Sequence, residues 1–243
     1  MSLRTAAVEL PGIVVALPQE MRSFGVQHMR TGEVLRFYSG WLALSGVGPD
    51  NARAAANRLI AQDVHCLISW GVAGSLVPAL RPGALLLAER VVRSTDGETF
   101  LSDETLCERV SAALALHMRV QRGNLWSASD AVLSSAAKRD VVAHAAVVAV
   151  DMESAAVAAA ATRANLPFIA IKAICDPVER SLPSVALRLI SRDGRVNTPA
   201  LFSAILSGPL TWRALAALRH DFNTAQRTLA AAAPLVLPAM LPA

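Results

Sequence analysis

Four carboxylates stand where chemistry is easiest to build. Glu20 follows the apolar run Gly12–Leu17 by way of Pro18-Gln19. Asp151 and Glu153 follow Ala145–Val150 and flank Met152. Asp176 closes the run Pro167–Ile174 and precedes Pro177. Two glycine segments, Gly46-Val47-Gly48 and Gly71-Val72-Ala73-Gly74, follow apolar runs of their own. Carboxylates gathered at one edge can donate or accept protons and can hold hydroxyl groups. Glycine turns let the backbone approach a ribose or a phosphate. Each feature also has a plain structural meaning. Glu20 is a general base or a solvated helix start. One of Asp151 and Glu153 caps a new helix and complements its dipole while the other faces a pocket. Asp176 is a pocket carboxylate or a turn-initiating Asp before proline. Neither glycine segment is a GxGxxG fingerprint or a P-loop.

The elements that must position these residues alternate. Gly12–Leu17, Val34–Ser39, Trp41–Ser45, Val64–Trp70, Ala84–Val92, Ala145–Val150 and Pro167–Ile174 read as strands, the second and third as a hairpin about Gly40. Pro49–Gln62, Ser102–His117, Lys138–His144 and Met152–Ala164 read as helices. Two further helical segments lie near Pro199–Leu206 and Thr211–Ala232. Strands separated by helices imply an α/β fold of three layers, a central mixed, mostly parallel sheet flanked by helices. With no repeat and no long linker, residues 1–243 form one domain, with a core over about 12–180, a C-terminal helical segment over about 185–232 and an apolar tail over 229–243. In such folds ligands bind beyond the carboxyl ends of the strands, which is where the four carboxylates and both glycine turns fall.

Composition narrows the function classes. The 243 residues are 53% hydrophobic and 17% charged, with a mean hydropathy of +0.41 and a pI near 9.5. This excludes a disordered chain. The net charge is +4, and Lys138 and Lys172 are the only lysines among 23 basic residues. The arginines are scattered, which argues against nucleic acid as a partner. Cys66, Cys107 and Cys175 form no CxxC and read as free thiols of a reducing cytoplasm. The five histidines lack zinc-site spacing, so no metal is expected. The N-terminal residues show no secretory pattern, and no segment has the roughly 18 apolar residues of a membrane span. Leu229–Ala243 is wholly apolar but carries Pro234, Pro238 and Pro242. It reads as a disordered end, a docked tail or a surface that meets lipid.

The order of these motifs resembles the purine nucleoside phosphorylase and nucleosidase superfamily, from about Gly12 to about Arg180. Val150-Asp151-Met152-Glu153-Ser154-Ala155 and Ile174-Cys175-Asp176-Pro177 look like its acidic-Met-Glu helix start and its strand-ending Ser/Cys-Asp. Gly71-Val72-Ala73-Gly74 looks like its Gly-Ser-Ala-Gly turn, and Ser129-Asp130-Ala131 like its Gly-Asp-Ala segment. With Asp130-Ala131-Val132, Leu182-Pro183 and Arg192-Asp193-Gly194-Arg195, the chain looks most like the bacterial hopanoid-associated phosphorylases.

The resemblance implies a nucleoside phosphorylase-like fold and removal of adenine from an adenine nucleoside with a bulky apolar 5′-group, adenosylhopane in hopanoid biosynthesis. The implied acceptor is inorganic phosphate, with no other cofactor. The alternative is a methylthioadenosine/adenosylhomocysteine-type nucleosidase using water. Asp176 matches the general acid at purine N7, and Glu153 the carboxylate that holds the ribose hydroxyls. Met152 matches the side chain under the sugar, and Glu20 the glutamate that activates water. Val132, Leu133, Ala73 and Gly74 match the base pocket, and Gly48 with Arg22 the phosphate or water site. Val72 departs from the family serine, Val132 and Leu133 replace an aromatic under the purine, and Ser69-Trp70 stand near a family phosphate-binding arginine. A cytoplasmic homo-oligomer is implied. A lipid-linked substrate and the +4 charge add peripheral contact with an anionic membrane, through Leu229–Ala243.

Overall fold

The computed structural model of the chain describes residues 10–37, 39–132, 134–181 and 209–241. Its strands are β1 (Gly12–Val15), β2 (Val34–Phe37), β3 (Gly40–Leu44), β4 (Leu67–Ser75), β5 (Leu85–Arg93), β6 (Thr99–Leu101), β7 (Val120–Ser127), β8 (Ala149–Asp151) and β9 (Phe168–Asp176). Its helices are α1 (Pro18–Met21), α2 (Pro49–Ile60), α3 (Glu104–Ala115), α4 (Ser135–His144), α5 (Ser154–Arg163) and α6 (Pro209–Met240), with a 3-10 turn at Arg22–Phe24. Along the sheet the order is β2-β3-β1-β4-β8-β7-β5-β6. β9 pairs in parallel with β4 and antiparallel with β5, which closes β4, β8, β7, β5 and β9 into a ring. The sheet is mixed, as expected.

Its two faces bury different side chains. One covers Ile13, Ile68, Trp70, Leu87, Ile169 and Ile171 with residues of α3 and α6. The other covers Val14, Leu67, Leu86, Ala170 and Ile174 with the alanine-rich faces of α2 and α5. Alanine suits this second layer, because small side chains let helices lie close to the strands without losing helix propensity. The cysteines are free, and burial pushes the Cys66 and Cys107 thiols up to about 12 and about 11.

Several sequence expectations are corrected. Gly71-Val72-Ala73-Gly74 is no turn: β4 runs through it to Ser75, still paired with β9, with an irregularity between Ala73 and Gly74. The strand expected at Ala145–Val150 shortens to Ala149–Asp151, because Ala145 ends α4 as its C-cap. β6 and β7 were not foreseen. β7 carries Arg122, Gly123 and Asn124, which dilute its apolar signal, yet it pairs in parallel with β5 and β8.

Of the three readings of the tail, the docked one holds. Leu229–Met240 continues α6 and is not a free end. Ala225, Leu229, Ala232, Ala233, Val236, Leu237 and Met240 recur at helical spacing and are buried in the first core layer. Pro234 and Pro238 lie on the exposed side of the same helix. Each removes a backbone donor, and the buried face opposite holds the helix in place. The Thr228 hydroxyl donates to the Gly83 carbonyl at 2.8 Å, and the His65 ring meets the Met240 carbonyl at 2.8 Å. No helix among the described residues is long and apolar enough to cross a membrane. The expected helix near Pro199–Leu206 and the motifs Leu182-Pro183 and Arg192-Asp193-Gly194-Arg195 lie outside the described residues.

Candidate active site

The carboxyl ends of β1, β3, β4 and β9 meet at one edge of the sheet, and three of the four carboxylates gather around one lysine there. Glu20 sits in the short helix α1 immediately after β1. Pro18 supplies the fixed backbone angle that starts the helix. The Glu20 side chain turns back and is 2% exposed. Oε2 accepts the amides of Ala16 and Leu17 at 2.9 Å each, and Oε1 accepts the Val72 amide at 2.9 Å. This approach requires glycine at position 71. A Cβ there would stand 2.4 Å from Glu20 Oε1, and φ is +154°. Burial raises the Glu20 pKa, opposed by Lys172 and by the three amides.

Glu153 precedes α5. Its Oε1 accepts the Gly48 amide at 2.8 Å and its Oε2 accepts the Met152 amide at 3.3 Å. Burial, then the neighbouring Asp151 charge, pushes its carboxyl up to about 7, against the pull of Lys172. Asp151 takes the structural role of the pair. It accepts the Ser154 hydroxyl at 2.5 Å and the Ser154 amide at 3.1 Å, at the start of α5. It also pairs with Lys172 Nζ at 3.0 Å. Ser154 in turn meets Ser69 across the layer at 2.9 Å. Burial works against the charge of Lys172, but Asp151, Glu153 and Glu20 outweigh it and its pKa is raised. The cluster therefore holds one ammonium among three carboxyl groups.

Asp176 ends β9 and is 4% exposed. Its Oδ2 accepts the ammonium of Lys138, which reaches in from α4 and is fully buried. Lys138 also donates to the carbonyls of Pro177 at 2.9 Å and Arg180 at 3.3 Å. Asp176 Oδ1 is buried with no hydrogen-bond partner. Burial raises the Asp176 pKa, and Lys138 acts the other way. Gly74 lies alongside: its Cβ position is 3.6 Å from Asp176 Oδ2 and 3.4 Å from the Val150 side chain.

The remaining expected residues divide. Val132 is partly buried against the small cluster around Val150, beside Gly74. Met152 is half-buried next to Glu153. Leu133 lies outside the described residues. The Ala73 side chain packs into the second core layer and leaves only its backbone for the site. The Gly48 amide is occupied by Glu153 and cannot serve as a free anion donor. Arg22 is exposed on the 3-10 turn, and no hydrogen bond or ion pair joins it to the carboxylates. Ser69 and Trp70 are buried, the latter against Phe24 at 5.0 Å between ring centroids. Sequence reasoning missed both lysines as site residues. Residue type was the available signal: in a chain whose other basic residues are arginines, the two lysines are the cations buried on site carboxylates.

Residues 11–187 match the family model described as the phosphorylase superfamily. The chain belongs to that superfamily. Among its relatives, a 5′-methylthioadenosine/S-adenosylhomocysteine nucleosidase of Marinomonas sp. (strain MWYL1) is 27% identical over 161 residues, which are 58% of this chain and 70% of that protein. A protein of the same description from Staphylococcus aureus (strain JH9) is 26% identical over 194 residues, 68% of this chain and 85% of its own length. Solved structures share the superfamily fold. The Helicobacter pylori futalosine hydrolase aligns with a TM-score of 0.72 at 18% identity, covering 95% of this chain and 98% of that one. The Neisseria meningitidis 5′-methylthioadenosine/S-adenosylhomocysteine nucleosidase, in complex with methylthio-immucillin-A, aligns with a TM-score of 0.72 at 21% identity, covering 96% and 100%. In the superfamily member described here, Asp151, Glu153 and Asp176 stand at the ends of β8 and β9 in the ring, and Glu20 follows the neighbouring β1.

Proposed function

We propose that this chain hydrolyses the N-glycosidic bond of an adenine nucleoside, releasing adenine and a ribosyl product. Asp176 gives its proton to purine N7 through Oδ1 as the bond from C1′ to N9 breaks. Water adds to C1′ and loses its proton to Glu20. Glu153 accepts hydrogen bonds from the ribose hydroxyls and faces the cationic sugar with negative charge. The similarity to nucleosidases and the superfamily membership support this reaction class.

The carrying observation is the charge of the cluster. Glu20, Asp151 and Glu153 surround Lys172, whose ammonium already pairs with Asp151. A phosphate dianion entering there would meet carboxylates and find the Gly48 amide taken. Water needs no such counter-charge, and Glu20 is held by three amides as a base. Water therefore replaces the phosphate that the motif resemblance implies. An apolar 5′-group, adenosylhopane among the candidates, rests on that motif resemblance alone.

Chromatographic detection of adenine tests the reading, with adenosylhopane in detergent and methylthioadenosine in buffer, each with and without phosphate. Release without phosphate, at a rate phosphate does not raise, is the expected result. Release that depends on phosphate overturns the choice of water, and no adenine from either nucleoside overturns the reaction class.

A further inference from the structure

Asp176 must do two things under the proposed reaction: keep a proton for the base and present it from a fixed oxygen. The residues around it address both. Lys138 is fully buried on α4, yet it points all its donors at one place: Asp176 Oδ2, the Pro177 carbonyl at 2.9 Å and the Arg180 carbonyl at 3.3 Å. Oδ1 is left buried and without a partner. A buried acceptor without a hydrogen bond costs about 1–3 kcal/mol, so such an oxygen is expected where a ligand completes it. The loop after β9 is tied to the same point. The Ser135 amide donates to the Ser181 hydroxyl at 3.1 Å, and Arg180 pairs with Asp221 of α6.

We propose that Lys138 is the positioning residue for Asp176: its ammonium fixes Oδ2, so that Oδ1 alone meets the purine. This rests on the reading of Asp176 as the acid. Lys138 does not touch the nucleoside and acts through the carboxyl group it holds. The other charged or titratable groups bearing on Asp176 are Arg180 beyond β9, Asp221 of α6 and the adjacent Cys175 thiol. None of them hydrogen-bonds the carboxyl group. Lys138 therefore sets both the rotamer of Asp176 and the main charge against it.

The two roles make a signature that mere structural support lacks. Lys138→Met keeps the bulk and removes the ammonium. Turnover of the nucleoside is expected to fall by roughly tenfold to a hundredfold as the carboxyl group loses its fixed orientation, with KM little changed. The alkaline limb of the pH–rate profile is expected to move up by about 1–3 units, because an opposing cation has gone while burial remains. A folded K138M with wild-type turnover, or with lower turnover and an unmoved limb, overturns the proposal. If K138M does not fold, Lys138→Arg replaces it. Lower turnover with the limb in place then supports the assignment, and wild-type turnover overturns it. Asp176→Asn is assayed in parallel. Adenine release by that variant would instead remove Asp176 as the acid, which separates failure of the underlying reading from failure of this inference.

Discussion

The backbone amide of Gly48 donates to Glu153 Oε1 at 2.8 Å across 105 residues of sequence. The turn after β3 and the start of α5 are thereby fixed to each other through a carboxylate that the proposed reaction assigns to the ribose. Glu153→Gln keeps an acceptor for Gly48 but places an NH₂ where the Met152 amide and the sugar hydroxyls need an oxygen. KM for the nucleoside is expected to rise about tenfold to a hundredfold, as suits loss of a hydrogen bond to a charged group. Steady-state kinetics on the variant checks it, and unchanged constants would remove Glu153 from the site.

The same residue predicts a pH dependence of stability. The folded protein holds the Glu153 proton up to about 7, above the ordinary value of 4.5. The folded state therefore binds more protons than the unfolded state between these values. This contribution is fully present below pH 4.5 and is lost as pH rises through about 7. Glu153→Gln abolishes it. Denaturant titrations at intervals from pH 4.5 to 7.5 are expected to show the wild type losing ground to E153Q as pH rises. Parallel curves would contradict the assignment.

Asp176→Asn is expected to lower adenine release by about 10²–10⁴-fold, the usual worth of a positioned acid. It also leaves the buried Lys138 without its counter-charge, at a cost of about 3 kcal/mol. Circular dichroism at low temperature should retain the wild-type spectrum, so the activity loss is read on a folded protein.

Gly71→Ala tests the approach of Glu20 to β4. The added methyl group would overlap Glu20 Oε1, 2.4 Å away, on a backbone with φ of +154°. Relief requires the carboxyl group to leave the Val72 amide. Activity is expected to fall at least tenfold, with a stability loss of about 1–3 kcal/mol from overpacking. A variant with wild-type turnover would show that the position of Glu20 is not needed.

The C-terminal segment gives a prediction opposite to the one its composition suggests. Leu229→Ala is expected to cost about 2–5 kcal/mol, because Leu229 is 0% exposed in the main core. Vesicle co-sedimentation of the full chain, with anionic lipid, is expected to leave the protein in the supernatant. Deletion from residue 229 onward should yield insoluble protein rather than a soluble form merely lacking membrane affinity.

The sequence made the sheet edge legible because each carboxylate follows a β-branched run, and period and punctuation place such residues without tertiary knowledge. That places Glu20, Glu153 and Asp176 at strand ends, while their chemical roles come from the family resemblance. Asp151 was left undecided between cap and ligand, since only the folded position of Lys172 resolves it. Four features could not be read. β7 hides because Arg122 and Asn124 interrupt its apolar pattern. β4 runs through two glycines because pairing with β9 overrides their turn preference. The helical state of Leu229–Met240 was obscured by two prolines, whose local penalty is outweighed by burial of the opposite face. Lys138 lies on a helix with no motif, and its meaning depends wholly on the arrival of β9.

The placement of α6 also has a consequence for synthesis of the chain. The last strand ends at Asp176, but the helix that covers Ile68, Trp70 and Ile171 is complete only at Met240. At translation speeds of about 5–20 residues per second, the interval lasts roughly 3–13 seconds. During that time this face of the sheet has α3 but not α6 to cover it. Chaperone capture in that window, and aggregation when translation pauses before α6, should depend on this helix more than on any residue that touches the nucleoside.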